Sequence, residues 1–208
     1  MSTKIYLARH GQTSFNLENR LGGDSGLSPK GFEHAEKVAG WLCDVYFQAI
    51  YSSTLKRSVQ TAEVLCRLHP ETLLVKKPEL SEISSGDMDC MTYKEFEEKF
   101  PDLFKARQND KYHWSFPNGE SYESALERVR PLLDTLKSDA GNVAIVGHQG
   151  MNRTILGYLL DLQKAEIPYL VTPNDVIFVI ENKRVSHISN GQTFEGYVVD
   201  KEAKKANV

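Results

Sequence analysis

Apolar residues fall into two patterns that alternate along this chain. The runs KIYLA (4–8), QAIYS (48–52), NVAIVG (142–147) and VIFVIE (176–181) are short, and the first three are largely continuous in apolar character. Runs of that length and character fit parallel strands covered by helices on both faces. RVSHIS (184–189) follows the fourth run after a short turn and predicts a hairpin partner at a sheet edge. LLVKK (73–77) predicts a fifth parallel strand. Between these runs the period lengthens. Ser28 and Pro29 supply an N-cap and a first-turn proline, after which Phe32, Ala35, Ala39 and Leu42 recur on one helical face. Leu55, Val59, Ala62 and Cys66 form a second stripe, which reads Cys66 as a core residue. Two further helices are predicted over 121–138 and 150–160.

This alternation predicts an α/β protein, a three-layer α/β/α sandwich with a mainly parallel sheet. Residues 79–120 interrupt it with polar sequence and short helical patterns. They read as an inserted, mostly helical cap over one end of the sheet, within a single domain spanning residues 1–208.

Composition narrows the function classes. A chain of 208 residues can bury a sizeable core. Its net charge is −3 and no Lys/Arg block is long, so no nucleic-acid partner is expected. No apolar run approaches membrane-spanning length, and MSTK passes directly into the first strand without room for a signal peptide. Cys43, Cys66 and Cys90 show no C-x-x-C spacing, which suits reduced thiols and a cytoplasmic protein. The polar tail KEAKKANV is expected to fray.

Chemistry gathers at the predicted strand ends. Arg9 and His10 follow the first strand, Arg57 lies just past the second, and His148 directly follows NVAIVG. Open α/β sheets hold ligands at the carboxyl ends of their strands. Arg57 also lies with Lys56 in the opening turn of a helix, where the macrodipole disfavours cations and favours a bound anion. His34, His69, His113 and His187 have no evident partners and read as surface residues.

These residues resemble a family. RHG (9–11), Asn16, SSTLKRSVQTAE (52–63), LSEISSG (80–86) and GHQG (147–150) are similar, in order and spacing, to the blocks of the histidine phosphatase superfamily, with its phosphoglycerate mutase-like fold. A closer resemblance lies in GGDSGLSPKG (22–31), MTYKEFEEKFPDLFKARQNDKY (91–112) and FPNGESYESALERVRP (116–131). These segments look like the bisphosphatase domain of the bifunctional enzymes that make and destroy fructose 2,6-bisphosphate. That likeness implies substrate contacts from Gly22 and a second phosphate held by Tyr93, Arg107, Lys111, Tyr122, Gln149 and Arg153. Independently of the likeness, Arg107 and Lys111 are spaced i,i+4 on a predicted helix, and Gln149 and Arg153 repeat that spacing after His148. The chain departs from the bifunctional enzymes in having no Gly-Lys dipeptide, so it carries no G-x-x-x-x-G-K-[ST] kinase loop. Position 12 is Gln where many relatives have Glu.

The resemblance implies that neutral His10 attacks phosphorus to form a phosphohistidine, its other ring nitrogen donating to a backbone carbonyl. Arg9, Arg57, His148 and Asn16 would hold the phosphoryl oxygens, and Glu82 would protonate the leaving oxygen and then activate water. No metal and no cofactor are expected, since arginines supply the charge neutralisation. The leading expectation is a phosphatase that takes a small sugar bisphosphate, releasing the 2-phosphate of fructose 2,6-bisphosphate. A broad phosphatase of small sugar or cofactor phosphates, a phosphoglycerate mutase, a phosphoprotein phosphatase and a non-catalytic protein-binding module are the competing readings.

Overall fold

The computed structural model describes residues 3–138, 141–200 and 202; the predicted frayed tail, apart from Glu202, lies outside them. Among the described residues, seven strands run in chain order as β1 (Thr3–Arg9), β2 (Ala49–Ser52), β3 (Leu73–Lys76), β4 (Gly141–Gly147), β5 (Val176–Glu181), β6 (Arg184–Ser189) and β7 (Gln192–Glu195). The helices are α1 (Ser14–Leu17), α2 (Pro29–Trp41), α3 (Lys56–Leu68), α4 (Tyr93–Lys99), α5 (Pro101–Asn109), α6 (Tyr122–Ser138) and α7 (Gln149–Leu160). None of the helices among the described residues is long and apolar enough to cross a membrane.

One sheet contains all seven strands in the order β3-β2-β4-β1-β5-β6-β7. β3, β2, β4 and β1 are mutually parallel, while β5, β6 and β7 join antiparallel. Side chains alternate across it as strand geometry requires. Ile5, Leu7, Val143 and Ile145 enter one core with Val129 and Leu133 of α6 and Ile155 and Leu156 of α7. Ala8, Ala144, Val146 and Ile177 face the other way, against Ala35, Val38 and Ala39 of α2 and Ala62 and Leu65 of α3. Both faces of the central strands are therefore apolar, and the expected α/β/α sandwich is what forms. Residues 79–120 carry α4 and α5, packed on their own cluster of Leu21, Met88, Phe96 and Phe116 with Phe104 and Trp114.

Several local expectations need correction. β6 is not the edge, because β7 pairs beyond it; QTFE has one apolar residue and is wholly exposed, so it gave no periodic signal. Phe32 is 37% exposed, and the inner face of α2 is instead Gly31, Ala35, Val38, Ala39 and Leu42. The stripe on α3 is rotated by one residue: Arg57, Ser58, Thr61, Ala62 and Leu65 face inward, and Val59 and Cys66 are half-buried. The cause is polar: Ser58 Oγ donates to Val146 O at 2.7 Å, and Thr61 Oγ1 accepts from Gly11 N at 3.0 Å. A face that carries hydrogen bonds inward is invisible to a search for apolar periodicity. His69 is not a surface residue; at 8% exposure it packs against the Phe47 ring. His34 and His187 are half-buried, and His113 is exposed.

Candidate active site

The register of the parallel strands places the first chemistry. Arg9 pairs with Gly147 and Ser52 pairs with Val146, so the residues that next leave β1, β4 and β2 emerge side by side. These are His10, His148 and Ser53. His10 N donates to Gly147 O at 3.0 Å, the two imidazole centroids lie 5.1 Å apart, and Ser53 Oγ is 2.7 Å from His148 Nε2.

Neighbours fix the state of His10. Nδ1 lies 2.7 Å from Gly11 O, a carbonyl that only accepts, so Nδ1 carries the hydrogen. Arg57 Nε donates to His10 Nε2 at 3.1 Å, so Nε2 presents its lone pair. Asn174 Nδ2 donates to His10 O at 2.6 Å and pins the backbone. Burial, then the charges of Arg9 and Arg57, hold the His10 imidazole well below its ordinary range. His148, fully buried, is held low by burial and then by Arg57, His10 and Arg9. His10 is thus held neutral while its surroundings are strongly cationic.

Arg57 reaches Nε2 because α3 begins just past the carboxyl end of β2. Its Nη1 also donates to Gly23 O at 2.7 Å, and burial lowers its pKa. The helix N-terminus that holds it is partly satisfied by Asp24, whose Oδ1 accepts from Lys56 N at 2.6 Å. Arg9 is pushed down to about 10, first by burial, against the stabilising charge of Glu82. Its Nη1 lies 3.4 Å from Thr172 O, and its Nε has no partner among the described residues. A buried guanidinium with an unmade donor is poised for an anion.

Glu82 sits across the cleft at the start of α7. Its Oε1 accepts from Ile83 N at 2.9 Å and Met151 N at 3.0 Å, and its Oε2 accepts from Gly150 N at 3.1 Å. A Cβ at Gly150 would stand 2.8 Å from Glu82 Oε1, so any larger residue there would displace the carboxylate. Two carboxyl oxygens offer about four acceptor sites, so these three bonds leave one site open to the cleft.

A second cationic group lies in the same cleft. Arg153 Nε donates to Leu170 O at 2.7 Å and its Nη1 to Tyr122 OH at 3.3 Å. Burial opposes the Arg153 charge, but Tyr122, Tyr93 and Glu82 together more than compensate, and its pKa is raised. The Arg107 guanidinium lies 5.7 Å from the Tyr93 ring centroid and 5.5 Å from that of Phe116. Lys111 Nζ stands 4.7 Å from the Tyr169 ring centroid and is pushed down to about 8, first by burial and then by Arg107 and Arg153. Lys111 is not on a helix with Arg107 as expected: α5 ends at Asn109, and Lys111 reaches the cleft from the turn beyond. Gln149 and Arg153 do share α7.

All of the sequence-derived site residues except His148 line one cleft of about 120 Å³, Asn16, Gly22, Tyr93 and Gln149 among them. His148 stands behind its wall. Asn16 Oδ1 accepts from Thr13 N at 3.0 Å, so the side chain's remaining donor is its amide nitrogen. Gly22 has φ +57°, and a Cβ there would meet Asp89 Oδ1 at 1.7 Å.

Sequence reasoning missed Ser53, Thr172 and Asn174. Ser53 directly follows β2 and was legible by the strand-end rule. Thr172 and Asn174 precede β5, which runs antiparallel, so its beginning meets the ends of the parallel strands. A search confined to the carboxyl ends of strands passes over such residues.

A buried histidine among arginines, at the strand ends of an α/β/α sandwich, is a site suited to a phosphoryl group. The family profile described as "Histidine phosphatase superfamily (branch 1)" matches residues 5–186, and the chain belongs to that superfamily as a phosphoric monoester hydrolase. It is 38% identical over 171 residues to "6-phosphofructo-2-kinase/fructose-2,6-bisphosphatase 4" of Rattus norvegicus, covering 81% of this chain and 35% of that protein. The Gallus gallus "6-phosphofructo-2-kinase/fructose-2,6-bisphosphatase" is 37% identical over the same length and shares. The chain thus spans about a third of the length of the curated relatives it matches. Among solved structures, mycobacterial glucosyl-3-phosphoglycerate phosphatase superposes with a TM-score of 0.77 at 26% identity, covering 96% of this chain and 98% of that one. Bacillus stearothermophilus YhfR shares the fold, with a TM-score of 0.77 at 24% identity over 97% and 99% of the two chains.

Proposed function

We propose that this phosphatase hydrolyses the 2-phosphate of fructose 2,6-bisphosphate, giving fructose 6-phosphate and phosphate, without a metal and through a phosphohistidine at His10. The observation that carries the substrate is the pairing of two cationic groups in one cleft: Arg9 and Arg57 around His10, and Arg107, Lys111 and Arg153 beyond it. A monoester needs one such group; a compact bisphosphate engages both. Similarity to fructose-2,6-bisphosphatase-containing proteins over 81% of the chain supports the same reading.

In the first step His10 Nε2 forms a bond to phosphorus as the bond to the leaving oxygen breaks with its electron pair. Arg57, Arg9 and the Asn16 amide stabilise the charge spread over the phosphoryl oxygens. Glu82 delivers a proton to the leaving oxygen. Water then attacks the phosphohistidine, Glu82 takes the water proton, and Nε2 recovers its lone pair.

The test is phosphate release in EDTA, comparing fructose 2,6-bisphosphate with 3-phosphoglycerate, fructose 6-phosphate and an aryl phosphate. A kcat/KM preference for the bisphosphate of several orders of magnitude supports the assignment. Comparable turnover of all four compounds refutes it in favour of a broad phosphatase.

A further inference from the structure

Glu82 lies in a stretch, residues 81–85, that has no regular secondary structure. A proton donor must be held to a fraction of an ångström, yet no ladder of backbone bonds runs through this segment. The backbone N–H groups of Ile83, Gly150 and Met151 hold the carboxylate itself, and a second device holds the chain that carries it. Arg128 of α6 donates through Nη1 to Glu79 O at 2.7 Å and through Nη2 to Ser81 O at 3.2 Å. The same guanidinium grips Glu120 with a fork, Nε to Oε1 at 2.7 Å and Nη2 to Oε2 at 2.8 Å. Glu120 Oε2 accepts in turn from Ser84 N at 2.9 Å, and Glu120 N donates to Ser84 O at 3.0 Å.

These bonds clamp the chain on both sides of Glu82, at Glu79 and Ser81 before it and at Ser84 after it. Forked arginine–carboxylate pairs are geometrically specific, and this one is only about a quarter exposed, so it has the rigidity that an isolated surface pair lacks. Arg128 does not line the cleft, and Glu120 enters its wall already neutralised by Arg128. Neither therefore has a role in holding phosphate.

We propose that the Arg128–Glu120 pair is a positioning brace that sets Glu82 for proton transfer to the leaving oxygen. The proposal rests on Glu82 being that donor. A brace of this kind has a signature that general loosening lacks. Proton donation matters when the departing oxygen is a basic alkoxide and hardly matters when it is a stable aryl oxide. Losing the brace should therefore penalise alkyl esters selectively.

The experiment compares kcat/KM, which reads the steps through P–O cleavage, for glycerol phosphate and p-nitrophenyl phosphate. The proteins are wild type, Arg128→Met, Arg128→Lys, Glu120→Gln and Glu82→Gln, each checked for folding by thermal melting. Arg128→Met should lose about 10²-fold on the alkyl ester and at most about threefold on the aryl ester. Arg128→Lys and Glu120→Gln should lie between it and wild type, in the same pattern. Combining Arg128→Met with Glu82→Gln should cost little more than Glu82→Gln alone on the alkyl ester. Equal losses on both esters in every folded brace variant, or none on either, overturn the brace while Glu82→Gln keeps its alkyl-selective defect. If Glu82→Gln itself shows no leaving-group dependence, the donor assignment falls, and the brace falls with it for that separate reason.

Discussion

Lowering the pH should destabilise this protein before its carboxylates titrate, and the size of the effect follows from the two active-site histidines. In the unfolded chain each imidazole takes up a proton as the pH falls through about 6.5. In the fold both are buried among arginines and held well below that value. Below about pH 6.5 the unfolded state therefore binds more protons than the folded one, so stability is full above that pH and is lost as pH falls. The slope approaches about 1.4 kcal/mol per pH unit for each group. Between about pH 7.5 and pH 5.5 each histidine should remove about 1.4 kcal/mol, and the pair about 2.7 kcal/mol, from a total typically of about 5–15 kcal/mol. His34 and His69, also lowered by burial, add to the wild-type loss. Urea unfolding at the two pH values, in phosphate-free buffer, measures the change. The His148→Gln variant isolates one group: its loss should be smaller than wild type's by about 1.4 kcal/mol, whatever its absolute stability. An identical pH dependence in variant and wild type would refute the argument that His148 stays neutral in the fold.

Further outcomes follow from the cleft. Arg153→Ala should raise KM for fructose 2,6-bisphosphate about 100-fold, the worth of about 3 kcal/mol of charge-assisted hydrogen bonding, while changing KM for an aryl phosphate by less than about threefold; equal effects on both would refute a second phosphate pocket. Rapid acid-free quenching with labelled substrate should trap an acid-labile, base-stable phosphoenzyme that His10→Ala cannot form, and turnover should survive EDTA. Complete loss on chelation would end the metal-independent mechanism. Gly22→Ala should destabilise by about 1–3 kcal/mol in urea unfolding, because the residue sits at φ +57° with Asp89 against the added carbon; an unchanged midpoint would show that the turn relaxes freely.

What the sequence determined by itself is the content of its strands and the identity of its reactive groups. Continuous apolar runs at 4–8 and 142–147 can be stable only when covered on both faces, so the three-layer sandwich was implicit in them. Arg9, His10, Arg57 and His148 stood at strand ends, and a parallel sheet brings such ends together whatever the loops do. The tertiary structure decided what depends on non-local registration. Which strands neighbour one another, and hence that Ser53 meets His148, is set by pairing across the sheet rather than by any local pattern. The antiparallel turn of β5 brought Thr172 and Asn174 to the site, and no periodicity reports strand direction. The inward face of α3 was misread because Ser58 and Thr61 satisfy loop and strand backbone there, where hydrophobicity carries no information. Lys111 reached the second cationic group from beyond the end of α5, since a chain turn can deliver a charge as well as a helix face can. The brace on Glu82 spans 49 residues from Glu79 to Arg128, and only folding brings its partners within a hydrogen bond's reach.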